Sequence, residues 1–184
     1  MQAADVWRMI EAAPPIDWAD VFARAGSGLW LEFGVGRGDS LRMFAKENPQ
    51  HHFYGFDWFK GLPEDWGVGI HCTPKGSYAQ SEVPTMPENV TLVQGLFQDT
   101  LGNFLWDHPG EVSFAHLDAD LYSSTRYVLD QLDARLRPGA LLAFDEIIGH
   151  PVFLDHEAKA LAEWWRDFHC LGRLGPNQAV FVVD

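Results

Sequence analysis

The sequence predicts an α/β fold: a mostly parallel, doubly wound sheet of seven strands, closed by an antiparallel hairpin at its C-terminal end. Three observations carry this reading. Strand-like and helix-like patterns alternate along the chain from residue 29 to residue 168. Such alternation predicts parallel strands covered by helices on both faces. The first strand enters a glycine-rich turn, WLEFGVGRGDSL over 30–41, and a helix pattern follows it. The last two strand-like runs flank Gly175-Pro176-Asn177, a turn that suits a hairpin. Right-handed crossovers then put a ligand at the C-terminal ends of the parallel strands, as in Rossmann-like sheets. The 184 residues are read as one domain, 1–184.

The elements follow in order. Residues 1–28 read as two short helices around Pro14-Pro15, the second capped by Asp17. Residues 29–35 form the first strand, and 40–47 a helix with Leu41, Phe44 and Ala45 inward. Residues 52–57 form the second strand. Residues 58–89 hold Gly61, Pro63, Gly67, Gly69, Pro74, Gly76, Pro84 and Pro87, and read as a long lid or acceptor-binding loop. Strand 90–94, a short helix over 100–106 and strand 112–117 follow. A helix over 123–137 keeps Val128, Leu129, Leu132 and Leu136 on one face until Pro138-Gly139 stops it. Strand 140–144 is followed by an amphipathic helix over 155–168, with Ala158, Leu161, Trp165 and Phe168 on one side. Runs 171–174 and 179–183 make the hairpin.

Composition narrows the partners. A net charge of -13 argues against nucleic acid or an anionic membrane surface, since both reward clustered Lys and Arg. Cys72 and Cys170 stand far apart in no metal-binding spacing, so reduced thiols and a cytoplasmic setting are expected. Asp5, Arg8 and Glu11 deny the N-terminus the apolar core of a signal peptide. A homo-oligomer is compatible with the sequence, which sets no oligomeric state.

The glycine turn carries the first chemical signal. Gly34, Gly36 and Gly38 leave the backbone bare just before a helix N-terminus, where Ser40 follows, so a ligand can lie against it. A dinucleotide would ask for G-x-G-x-x-G, but Asp39 stands where that third glycine belongs. Glu32, just ahead of the turn, suits an amino group better than a pyrophosphate. Asp57 ends the second strand, where a carboxylate can accept from ribose hydroxyls. A ligand with both an ammonium and a ribose is S-adenosylmethionine. LEFGVGRGDS followed by YGFD resembles the corresponding segments of class I S-adenosylmethionine-dependent methyltransferases. Phe97 and Gln98, after the third strand, are candidates for the adenine edge. Trp58 either packs on the adenine or joins the core.

The second signal is acidic. HLDADLYSST over 116–125 ends the fourth strand and FDEIIGH over 144–150 ends the fifth. Neighbouring strands lie roughly 4.8 Å apart, which brings Asp118 toward Asp145 and Glu146. Crowded carboxylates repel, and a hard cation such as Mg²⁺ would relieve them. Together with FYGFDWFKGLPEDW and GLFQDTL, these segments resemble the macrocin O-methyltransferase family, which methylates sugar hydroxyls. The resemblance implies Asp118, Asp145 and Glu146 as Mg²⁺ ligands, and Asp118 as a catalytic base. Glu146 stands where that family usually has a second aspartate. Asp120 reads as a turn residue, His116 as a satisfied core histidine and His150 as a surface one. His71, Cys72 and Tyr78 fall in the long loop.

The expected activity is methyl transfer to a hydroxyl of a small sugar or natural-product-like acceptor. Alternatives are a metal-independent methyltransferase and a non-catalytic cofactor-binding partner protein. The misplaced third glycine weighs against a nicotinamide-dependent oxidoreductase.

Overall fold

The computed structural model describes residues 1–184. Its strands are β1 (Leu29–Phe33), β2 (Phe53–Asp57), β3 (Val90–Gln94), β4 (Val112–Leu117), β5 (Leu136–Phe144), β6 (Phe168–Arg173) and β7 (Ala179–Val183). They form one sheet in the order β3-β2-β1-β4-β5-β7-β6. The pairs from β3 to β5 are parallel, and β7 runs antiparallel to both β5 and β6. The sequence expectation of a parallel sheet with an antiparallel hairpin therefore holds. The order reverses between β1 and β4, which opens a crevice above their C-terminal ends.

The helices are α1 (Ala3–Ala12), α2 (Trp18–Phe22), α3 (Asp39–Glu47), α4 (Phe97–Asp107), α5 (Tyr122–Leu132) and α6 (Glu157–Glu163). Strand side chains alternate between two cores, as the two-residue period of a strand requires. Leu31, Phe33, Leu142, Phe144 and Phe181 join α1, α4, α5 and α6 on one face. Trp30, Leu141, Ala143 and Val180 join α2 and α3 on the other. On that second face Trp18 packs across Phe44, with ring centroids 4.5 Å apart, so the N-terminal helices close the sheet. No helix is long and apolar enough to cross a membrane.

Several boundaries differ from the sequence reading. Strand β1 stops at Phe33, because Gly34 turns to φ +96°. Helix α4 begins at Phe97 rather than 100. Helix α5 ends at Leu132, and one 3-10 turn carries the chain to Arg135. Pro138-Gly139 does not stop a helix; it lies inside β5, where Leu136 already pairs with Val112 beside a register shift. Helix α6 ends at Glu163, because Trp164 turns extended at ψ 139°. Trp165 is consequently exposed, and Phe168 packs as the first residue of β6.

Candidate active site

A cleft of about 670 Å³ lies over the C-terminal ends of the parallel strands. One end is the glycine turn. Gly34, Gly36 and Gly38 all have positive φ, at +96°, +51° and +77°. A Cβ on Gly34 would lie 1.8 Å from the Asp118 carbonyl oxygen, so that glycine is set by close packing of β1 on β4. A Cβ on Gly36 would meet nothing within 4 Å, because this backbone borders the open cleft. Arg37, Asp39 and Ser40 line the cleft beside it, whereas Gly38 is buried beneath the Met86 side chain.

Asp57 ties the turn to β2. Its Oδ2 accepts from the backbone N–H of Val35 (2.9 Å) and of Gly36 (2.8 Å), and its Oδ1 accepts from Phe59 N–H (2.7 Å). A carboxylate offers about four acceptor sites, so roughly one remains for a ribose hydroxyl. Trp58, Phe97 and Gln98 also line the cleft. The Trp58 indole N–H donates to the Gly61 carbonyl, and the Phe97 ring stands edge-on to Phe33 at 5.4 Å.

Glu32 is not in the cleft lining. It is fully buried; its Oε1 accepts from the Ser40 hydroxyl and lies 3.2 Å from His116 Nδ1. The reason is register: Glu32 on β1 pairs directly with His116 on β4. Glu32 therefore fastens the start of α3 from below, rather than facing an ammonium from the cleft. Ser40 borders the cleft while its hydroxyl is committed to Glu32.

The other end of the cleft is the acidic rim. Asp118, Asp120 and Glu146 line it, and Asp145 does not. Asp145 accepts from the Gln178 side-chain amide, and its Oδ1 lies 3.7 Å from His116 Nε2. Glu146 Oε2 receives the Asn177 amide at 3.4 Å, so the turn before β7 holds both acids. No group of three His, Cys, Asp or Glu side chains has the arrangement of a metal site. Asp118, Asp145 and Glu146 have the oxygen chemistry of a hard cation site, but Asp145 is engaged by Gln178 and His116 away from the cleft lining, so as arranged the three do not form one.

Charge in the rim is strained. His116 is 1% exposed. Burial pushes its pKa down, but Asp145 and Glu32 outweigh burial and hold it up at about 10. This histidine is therefore an internal cation, not an inert core residue. Burial pushes Asp145 up, yet His116 and Gln178 prevail and hold it below the usual range. Asp118 is pushed well above that range by burial and the Asp145 charge. Asp120 is raised to about 7 by burial, Glu146 and Asp145, and Glu146 is raised by burial and Asp145. Beneath them Glu157, 1% exposed, is raised well above normal by burial and by the neighbouring aspartates. Its Oε2 accepts from Glu146 N–H, and its Oε1 has no partner.

Sequence reasoning assigned neither Asp120 nor Glu157 to the site. Asp120 does sit in a turn, with φ +57°, but that conformation brings it to the cleft. The signal for it was the D-A-D spacing at a strand end. Glu157 carried none, being one of several acids on a helix. From the long loop, Leu62, Pro63, Trp66, Tyr78 and Gln80 reach the cleft, while His71 and Cys72 do not, nor does His150 after β5. His150 instead stacks on Trp66 at 4.0 Å.

Comparisons with known proteins agree with this architecture. A family profile described as "Methyltransferase domain" matches residues 31–147. The structure is similar to that of CalS11, a calicheamicin methyltransferase, with TM-score 0.73 and 23% identity over 97% of this chain and 78% of that one. A second CalS11 structure, described as an apo TDP-rhamnose 3'-O-methyltransferase, gives TM-score 0.65 and 22% identity over 97% and 79%. The O-methyltransferase NovP gives 0.57 and 20% over 88% and 74%. At these identities the likeness is one of fold. No curated protein matches the sequence significantly.

Proposed function

This chain belongs to the methyltransferase-domain family, and from that premise we propose that it moves a methyl group from S-adenosylmethionine to a hydroxyl of a small acceptor. The whole of 1–184 is read as the methyltransferase domain, and 58–89 as its acceptor loop. One observation carries the reading: a bare-backbone turn held by Asp57 and an acidic rim share one cleft. The turn suits a ligand that approaches the backbone closely, and the rim suits removal of a proton from an alcohol.

The cofactor supplies a methyl carbon activated by a positively charged sulfur. In-line displacement at that carbon needs no protein nucleophile, only alignment and a place for the proton. Gly36, Asp57, Trp58, Phe97 and Gln98 border the cofactor end. Gly34, Gly38, Glu32 and Ser40 hold the turn in shape behind it. At the acceptor end, proton transfer is most effective when the acceptor's pKa lies near the working pH. Asp120, at about 7, meets that condition. Asp118, assigned as the base from sequence, is pushed well above the usual carboxylate range by burial and the Asp145 charge, and is read as a hydrogen-bonding partner of the acceptor. Because the rim does not fit a divalent cation, the reading is metal-independent, and no step depends on Mg²⁺.

The test is product formation from S-adenosylmethionine with a panel of sugar and phenol hydroxyls, using wild type and Asp120→Asn. An O-methylated product with wild type and a strong loss with the variant are expected. Cofactor binding without product across the panel, or methylation at nitrogen alone, would overturn it.

A further inference from the structure

The acceptor end of the cleft combines two independent features. The first is charge. Three carboxylates face the space, and the only basic residue among those lining the cleft is Arg37 at the opposite end. Arg37 is itself paired with Asp39 at 3.3 Å, and its side chain is 78% exposed. The internal cation His116 is already shared between Glu32 and Asp145. Negative charge on the rim is therefore left without a partner of its own.

The second is aromatic. Trp66 is 4% exposed, borders the cleft, and keeps an indole N–H with no hydrogen-bond partner. Tyr78 lines the cleft from the loop, and burial, with the Asp120, Glu146 and Asp118 charges adding to it, raises its phenol pKa. Its backbone is held at φ +66°, a costly conformation for an aromatic residue. Trp66 is fixed from both sides: Trp66 and Thr73 exchange two backbone hydrogen bonds of 2.8 Å, and His150 stacks on its ring. Aromatic faces beside carboxylates are the chemistry that recognises an ammonium group, through ion pairing and cation–π attraction.

We propose that the acceptor is a hydroxylated ring carrying a protonated amine, such as an amino sugar, and that the rim rejects phosphorylated or nucleotide-linked acceptors. The inference rests on the methyltransferase reading above and names its substrate class. An ammonium supplies the positive charge that the rim lacks and can meet the Tyr78 ring, while Trp66, packed with Leu62 and Leu121 and stacked on His150, walls the site. A phosphate brings two further negative charges toward three carboxylates and finds no cation beside them. The ring hydroxyls match the remaining carboxylate lone pairs and the Gln80 amide.

The experiment is calorimetric titration of the S-adenosylhomocysteine complex, in EDTA and again in Mg²⁺, with three single-ring probes. These are D-glucosamine, N-acetyl-D-glucosamine and D-glucose 6-phosphate. Saturable binding of S-adenosylhomocysteine comes first; its absence would count against the methyltransferase reading rather than against the acceptor class. Given that complex, glucosamine is expected to bind at least tenfold tighter than its N-acetyl form, about 1.4 kcal/mol. The phosphate ester is expected not to bind. Glu146→Gln should weaken glucosamine several-fold while leaving S-adenosylhomocysteine affinity unchanged, which also shows that the variant is folded. Equal binding of the two amino-sugar forms, no binding of glucosamine, or tighter binding of the phosphate ester with or without Mg²⁺ would overturn the proposal.

Discussion

Two alanine substitutions in one turn should have different consequences, and the contrast follows from where each new methyl group would go. At Gly36 the added Cβ meets nothing within 4 Å, and φ +51° lies in the left-handed region an alanine can enter. The conformational cost is about 1–2 kcal/mol. For a chain of this size each kcal/mol lowers Tm by roughly 2–4 °C, so Gly36→Ala should melt only a few degrees early. Its methyl group, however, stands in the cleft where the cofactor is placed. Affinity for S-adenosylhomocysteine should fall at least tenfold, about 1.4 kcal/mol. At Gly34 the added Cβ would lie 1.8 Å from the backbone oxygen of Asp118, and φ is +96°. Neither β1 nor β4 can yield without breaking the 2.8 Å hydrogen bond from Asp118 N–H to Phe33. Gly34→Ala should therefore lose stability well beyond Gly36→Ala, on the order of 3 kcal/mol or more. The assays are thermal unfolding and calorimetric titration on both variants. Wild-type affinity in Gly36→Ala would refute the idea that this turn abuts the cofactor. A wild-type Tm in Gly34→Ala would refute the packing argument.

Three further outcomes follow from the buried charges. Asp120 has a folded pKa near 7, above its unfolded value of about 3.9, so the native state holds the extra proton and wild-type stability falls as pH rises from about 4 to 7. Asp120→Asn should reduce that slope, to which the other raised carboxyls also contribute, and be more stable than wild type at pH 8, by on the order of 4 kcal/mol at most; an unchanged slope would contradict the assignment, and wild-type activity should rise through about pH 7. His116 has a folded pKa near 10, above its unfolded value, so its contribution is complete below about pH 6.5 and is lost as pH rises through 10. His116→Phe, which leaves Glu32 and Asp145 without their shared cation, should cost about 3–5 kcal/mol at pH 6 and less at pH 9.5; denaturant unfolding at the two pH values measures it. Burial and the neighbouring aspartates push Glu157 well above the usual range and so disfavour its charge; Glu157→Gln, which removes that charge, should leave Tm at pH 7 unchanged or higher, and a drop of several degrees would contradict this account.

The sheet was legible because its signals are local. A two-residue period, a helix face and a turn residue each sit within a few positions, and β1 to β7 appear where those signals lie. Errors arose where one residue served two readings. Phe168 continues the apolar face of α6 in sequence, yet Trp164 turns the chain extended before it, and Phe168 packs against Phe181 from β6. Pro138-Gly139 reads as a helix stop, yet the chain is already paired at Leu136. In the site, the glycine turn and Asp57 were legible because they lie on consecutive strands of one unit. The Glu32–His116–Asp145 chain was not. It joins three strands side by side, and only the register of β1 on β4 and of β4 on β5 reveals it. The turn that holds Asp145 and Glu146 through Gln178 and Asn177 was hidden for the same reason.

The most direct test of the central claim is thermal unfolding of the wild-type protein with S-adenosylhomocysteine, in EDTA and in Mg²⁺. At a hundredfold excess over Kd, binding to the native state adds about 2.7 kcal/mol, a rise of roughly 5–10 °C for this size. The account predicts that rise in full in EDTA, with no further gain from Mg²⁺. No rise at saturating S-adenosylhomocysteine would contradict the cofactor site at the glycine turn, and a rise that required Mg²⁺ would contradict the metal-independent reading of the rim.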